Sequence, residues 1–193
     1  MDVDLAGIAL CCPLLQELRI DNAMFLIGSQ HLVCLPRYHE NGEYKAFANL
    51  KRLGLNTPLP IGEFEASYVF LPPAVMAFCL KNAPGLESAD FGYCSALEDS
   101  DVDRLIAGDY SSEIILPFIV GTKCLNPSLA RVTLRGAYKL SDQAVYKIVN
   151  SYQGLTLLAM KILPRERLSE LENVKTQLKK ENVNVTLMTY GNY

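Results

Sequence analysis

The sequence predicts an α/β solenoid, in which one strand–turn–helix unit recurs, with parallel strands on a concave face and helices on a convex one. Three observations lead there. The first is a pair of stretches, "LESADFGYCSALEDSDVDRLI" (residues 86–106) and "LARVTLRGAYKLSDQAVYKIV" (residues 129–149), that share few letters but carry apolar residues at the same offsets. Leu86, Ala89, Phe91, Cys94, Leu97, Val102, Leu105 and Ile106 recur 43 positions later as Leu129, Val132, Leu134, Ala137, Leu140, Val145, Ile148 and Val149. Asp99 likewise recurs as Asp142. The second is a short phrase (apolar, two variable, apolar, one variable, apolar) found again in "LQELRI", "LKRLGL" and "LTLLAM". Its starts lie 35, 36, 43 and 26 residues apart, the uneven spacing of repeats that carry insertions. The third is a change of period within each unit: the phrase ends in strand-like alternation, and helical spacing follows.

Each element follows from local chemistry. "DLAGIALCC" has helical apolar spacing and runs into Pro13, which ends it. Leu15, Leu18 and Ile20 then mark the first strand and Leu50, Leu53 and Leu55 the second. Residues 24–46 and 57–67 are poorer in periodicity and richer in Pro, Gly and charge, and are expected to be loop insertions. "PPAVMAFCLKNAPG" reads as a helix that starts at a proline pair and stops near Pro84. In "DSDVDRLIAG", Asp99 is the expected N-cap, Val102, Leu105 and Ile106 share one helical face, and Gly108 is the stop. Residues 110–125 are expected to add a helical turn, interrupted at Pro117. "SDQAVYKIVNSYQG" repeats the plan, with Asp142 as cap and Ala144, Val145, Ile148 and Val149 inward. After the strand marked by Leu155, Leu158 and Met160 comes the cleanest amphipathic helix, with Leu168, Leu171, Val174 and Leu178 as its inner stripe. Alternating Val183, Val185 and Leu187 predict a last strand.

Composition narrows the function classes. A chain of 193 residues, half of them hydrophobic, is ample for a single domain over residues 1–193 with a substantial core. A net charge of −3 argues against a broad nucleic-acid-binding face, which needs clustered Lys and Arg. The start "MDVDLAGIALCC" is acidic where a secretory signal is basic. The longest apolar stretch, residues 68–80, is too short to span a bilayer and contains Pro72 and Pro73. These features predict an intracellular protein, cytoplasmic or nuclear, with no membrane partner. The six cysteines (Cys11, Cys12, Cys34, Cys79, Cys94, Cys124) are irregularly spaced, and are expected to be buried small hydrophobes rather than a disulfide framework.

The phrases "CPLLQELRI", "APGLESADFGYCSALEDSDVDRL" and "NPSLARVTLRGAYKLSDQAVYKI" resemble leucine-rich repeats of the ribonuclease-inhibitor-like class, and more narrowly the cysteine-containing variety that follows F-box domains. The shared pattern is a Cys or Asn-Pro turn, a leucine strand, a Gly-Cys-type turn, a Leu or Ile, then Asp before a helix. It is strongest over residues 83–162 and recognisable at 11–20 and 47–55. The resemblance implies a right-handed solenoid and a protein–protein interaction module, with the substrate-recognition arm of an F-box type ubiquitin ligase as the specific expectation. No F-box precedes the first repeat, so the chain is expected to be either a fragment of a longer protein or a stand-alone repeat protein. Scaffold binding is expected only if an F-box exists outside this chain.

Outward strand positions should form columns. Glu17, Arg52, Ser88, Arg131 and Leu157 make one; Arg19, Gly54, Asp90, Thr133 and Ala159 the next; Asp21, Asn56, Gly92, Arg135 and Lys161 the third. In a parallel stack such neighbours lie about 4.8 Å apart, on the face where solenoids bind partners. The residues expected to hold a protein partner are therefore Glu17, Arg19, Arg52, Asn56, Asp90, Arg131, Thr133, Arg135 and Lys161. Arg131 and Arg135 are expected to be solvated side chains whose replacement leaves folding intact. The alternative function is a small-molecule sensor, with the two insertions folded over the concave face to form a pocket.

Other chemistries have little support. His31, Cys34 and His39, with Cys11 or Cys12, could supply four zinc ligands, but no second Cys pair supports the site, and the expectation is no metal. Only two histidines exist, both in one irregular stretch, and no nucleophile motif surrounds any Ser or Cys. No phosphate-binding glycine motif is present. The expectation is a binding protein without catalysis or cofactor.

Overall fold

The computed structural model describes residues 2–3, 5–21, 24–25, 47–56, 71, 73–107 and 126–191. In chain order the elements are β1 (Asp2–Val3), α1 (Leu5–Cys11), β2 (Glu17–Asp21), β3 (Met24–Phe25), β4 (Arg52–Asn56), α2 (Pro73–Asn82) and β5 (Ser88–Phe91). There follow α3 (Asp99–Ala107), β6 (Arg131–Arg135), α4 (Asp142–Ser151), β7 (Leu157–Leu163), α5 (Arg165–Lys180) and β8 (Thr186–Gly191). Strands β2, β4, β5, β6, β7 and β8 form one six-stranded sheet in that order, every pair parallel.

The register is the one the phrase requires. Leu18 faces Leu53, Leu53 faces Ala89, Ala89 faces Val132, Val132 faces Leu158 and Leu158 faces Leu187. A slip of one residue would turn this row from core to water, so burial specifies the pairing. All but Leu18 are buried; Leu18, on the first strand of the sheet, is partly covered. The inward side chains of the strands share one core with Val102 and Leu105 of α3, Ala144, Val145, Ile148 and Val149 of α4, and Leu171, Val174 and Leu178 of α5. The helices thus lie against the apolar face of the sheet.

Two backbone devices recur from strand to strand. At the strand starts, one carbonyl accepts two consecutive N–H groups of the next unit. Gln16 O accepts from Lys51 and Arg52, Lys51 O from Glu87 and Ser88, Glu87 O from Ala130 and Arg131, and Ala130 O from Thr156 and Leu157, at 2.8 to 3.1 Å. At matching positions, just beyond β5 and β6 and near the end of β7, the chain passes through a left-handed residue: Tyr93 (φ 58°), Gly136 (φ 70°) and Ile162 (φ 61°). Only glycine adopts this region freely, so Tyr93 and Ile162 each cost about 1–2 kcal/mol. The neighbouring backbone holds the turns in place: Cys94 N–H donates to Arg135 O at 2.7 Å, and Gly136 N–H to Lys161 O at 2.8 Å.

Several sequence expectations change in detail. Ser141, not Asp142, caps α4: its Oγ accepts from the Ala144 N–H, at 3.2 Å. Asp142 is the first helical residue and instead accepts from Arg167 Nη1 at 2.6 Å, tying α4 to α5. Asp99 is likewise the first residue of α3, and its Oδ1 accepts from the Ser141 N–H at 2.8 Å. Both aspartates link neighbouring units rather than cap their own helix. Val183 and Val185 precede the last strand, because α5 ends in a Schellman turn: Asn182 is left-handed (φ 53°), Asn182 N–H reaches Lys179 O, and Val183 N–H reaches Leu178 O. Within the stretch expected to be a loop insertion, Met24–Phe25 pairs in parallel with Asp2–Val3. Cys11 and Cys12 are exposed, whereas Cys79 and Cys94 are buried as expected. The rest of both insertions, the turn expected over residues 110–125, Gly108, Cys34 and Cys124 lie outside the described residues.

Candidate functional site

Strand alternation carries every candidate residue to the sheet face opposite the helices. Parallel pairing sets Glu17 beside Arg52, Arg52 beside Ser88, Ser88 beside Arg131, and Arg131 beside Leu157. Arg19, Gly54, Asp90, Thr133 and Ala159 form the next row. In the third, Asp21 faces Asn56 and Arg135 faces Lys161. Between them, a Cβ at Gly92 would clash with Asn56 Oδ1 and lie 2.9 Å from Asn56 Cα, so only glycine fits there. The nine residues expected to bind a partner therefore share one surface.

The charges on this surface are not equally free. Arg52 Nη2 lies 2.9 Å from Glu17 Oε2, and Arg19 Nε donates to Asp21 Oδ2 at 2.9 Å, both in exposed pairs. Asn56 Nδ2 donates to Asp21 Oδ1 at 2.7 Å. That amide bond, with the Arg19 contact, holds the Asp21 carboxyl below its ordinary range. Arg135 is half-buried and grips Asp90 with two bonds, Nε to Oδ1 at 3.0 Å and Nη2 to Oδ2 at 2.5 Å. It is therefore not the solvated side chain expected from the sequence. A glutamate there would face Asp90 at close range and cost stability. Arg131 is exposed and makes no ion pair among the described residues. Lys161 sets its Nζ 5.6 Å from the centre of the Tyr190 ring.

The last strand contributes what the sequence reading omitted. β8 pairs with β7, placing Thr186 beside Leu157 and Met188 beside Ala159. Met188 and Tyr190 are large apolar side chains left 39% and 45% exposed, joined by a Tyr190 hydroxyl to Met188 Sδ contact of 3.2 Å. The signal was present, since continuing the alternation of Val183, Val185 and Leu187 puts Thr186, Met188 and Tyr190 outward. It was masked by reading the strand as ending where it begins.

Elsewhere the chemistry is structural. Burial pushes the Cys79 and Cys94 thiols up to about 12, so neither supplies a thiolate near neutral pH. Cys94 Sγ donates to Phe91 O at 3.3 Å. Among the described residues no group of three or more His, Cys, Asp or Glu is arranged to hold a metal ion; His31, Cys34 and His39 lie outside them. Among the same residues no helix is long and apolar enough to cross a membrane. Compared with known proteins, the chain matches no family model, and no curated protein matches it.

Proposed function

We propose that the chain is a protein–protein interaction module of the leucine-rich-repeat type, a right-handed solenoid that binds a protein partner on the sheet face opposite its helices. The observation that carries this reading is the convergence of Arg19, Arg52, Arg131, Arg135 and Lys161 with Glu17, Asp21 and Asp90 on one parallel sheet. Among the described residues, these five cations against three carboxylates sum to +2 on a chain of −3. The repeated phrase and the shared-carbonyl rungs support the solenoid, because each unit is built on its neighbour in the same way. Within this class the resemblance favours the substrate-recognition arm of an F-box type ubiquitin ligase, cytoplasmic or nuclear. Scaffold binding would then require an F-box outside this chain. On this reading the protein binds rather than catalyses.

The test is affinity capture with the immobilised chain and identification of the captured proteins by mass spectrometry, repeated with Arg52→Glu/Arg131→Glu. Both side chains are exposed, so melting should hold, since surface charges contribute little to folding. Loss of the specific partners is the expected result. Capture of the same proteins at the same yield would remove this face as the binding surface.

A further inference from the structure

Charge is distributed unevenly over the sheet face. On β2, β4 and β5 every outward carboxylate has a basic or amide partner: Glu17 with Arg52, Asp21 with Arg19 and Asn56, Asp90 with Arg135. On β6, β7 and β8 the outward residues are Arg131, Thr133, Arg135, Leu157, Ala159, Lys161, Thr186, Met188 and Tyr190, and none is acidic. Arg135 is already committed to Asp90. Two cations remain without a carboxylate among the described residues: Arg131 at one end of β6 and Lys161 at the far end of β7.

The ground between them is apolar. Register puts Thr133, Ala159 and Met188 in one row across the three strands, midway between the Arg131 row and the Lys161 row. Ala159 is buried between its neighbours, so the accessible apolar surface of this row is Met188, with the exposed Tyr190 ring beside it. Four residues of strand separate the row of Arg131 from that of Lys161, a span of about 13 Å at the rise of an extended chain. An extended peptide repeats its side-chain direction every second residue with the same rise. Positions i, i+2 and i+4 of such a peptide would therefore fall over the row of the first cation, the row that ends in Met188, and the row of the second cation.

From this match we infer that the β6–β8 half of the face binds an extended acidic segment of a protein partner, with carboxylates at i and i+4 and a large apolar side chain at i+2. The inference rests on the proposed binding role of this face and specifies which half acts and what it takes. Nucleic acid fits less well, because among the described residues two cations of this face lack a carboxylate and the carboxylates of Glu17, Asp21 and Asp90 share it.

Selection of random twelve-residue peptides displayed on phage against the full chain tests it. Binding of the best synthetic peptide is then measured by fluorescence polarisation to the unaltered protein and three variants. The expected result is enrichment of acidic–x–apolar–x–acidic sequences. Arg131→Glu/Lys161→Glu should weaken binding by about tenfold or more. Tyr190→Ser should cost the preference for the apolar side chain, and Arg19→Glu/Arg52→Glu should have little effect. Circular dichroism and melting of each variant guard against misfolding. If only Arg19→Glu/Arg52→Glu weakens binding, or the selected peptides lack acidic residues, this inference fails while the binding role of the face survives. If neither charge-reversed pair changes the binding of any selected peptide, both fail. Failure to select any peptide, or tighter binding of a single-stranded RNA homopolymer in the same assay, also overturns the acidic-segment inference.

Discussion

Asn126 offers the sharpest test of how the units are joined. It is 3% exposed and occupies the place in its unit that Ala83 occupies 43 residues earlier, each just before a proline. Its Nδ2 donates to Ala83 O at 2.5 Å, and its Oδ1 accepts from the Ser128 N–H at 3.0 Å. Asn126→Ala removes both bonds. The Ala83 carbonyl keeps a second donor, the Leu86 N–H at 3.0 Å, so it is not orphaned outright. Loss of its amide partner is worth about 1–1.5 kcal/mol, and loss of the acceptor for Ser128, which is near water, about 0.5–1.5 kcal/mol. The sum is about 1.5–3 kcal/mol, which in a domain of this size lowers Tm by about 3–12 °C. Urea titration followed by circular dichroism should show a lower midpoint at unchanged slope. Asn126→Asp keeps the acceptor and loses the donor, so at neutral pH it should be at least as damaging as alanine. A loss below about 0.5 kcal/mol for Asn126→Ala, at or below the value of one ordinary hydrogen bond, would refute the idea that this amide clamps two units together.

Two further outcomes follow from the backbone and from titration. Gly136→Ala should cost about 1 kcal/mol, because the added Cβ finds ordinary contacts (3.9 Å to Tyr93 Cα) and only the φ of 70° is strained. Gly92→Ala should cost more, since its Cβ would lie 2.9 Å from Asn56 Cα; equal midpoints for the two variants would contradict this separation of torsion from clash. Burial by itself would raise the Asp99 carboxyl, yet the hydrogen bonds from the Ser141 hydroxyl and N–H hold it below its ordinary value. A lowered carboxyl contributes stability that is present above the unfolded-state value of about 3.9 and is lost as pH falls through the folded one. Asp99→Asn should therefore be less stable than the unaltered chain at pH 7 and approach it below about pH 4. A difference that stays constant across that range would count against the linkage.

The amino-acid sequence by itself determined the periodic part of this protein. Leu53, Leu55, Ala89, Phe91, Val132, Leu134, Leu158 and Met160 hold the alternate positions of a repeated strand–turn–helix unit; the repeat implies parallel strands, and burial of that set fixes their register. The amphipathic spacing of Leu171, Val174 and Leu178 likewise marks the buried stripe of α5. The outward direction of the nine candidate residues came from the same arithmetic.

Partnership between units was another matter. That Asp142 meets Arg167 rather than its own helix depends on how α5 packs against α4, and no local pattern encodes that contact. Arg135 looked equivalent to Arg131 in sequence, yet it folds back onto Asp90 of the neighbouring strand, whereas Arg131 has no carboxylate partner among the described residues. Tyr93 and Ile162 gave no sign of a left-handed turn, because only glycine announces that torsion in a sequence; at the other two places neighbouring units impose it. Local spacing decides which way a side chain points, whereas its partner is decided by the residue that the adjoining strand or helix brings within reach.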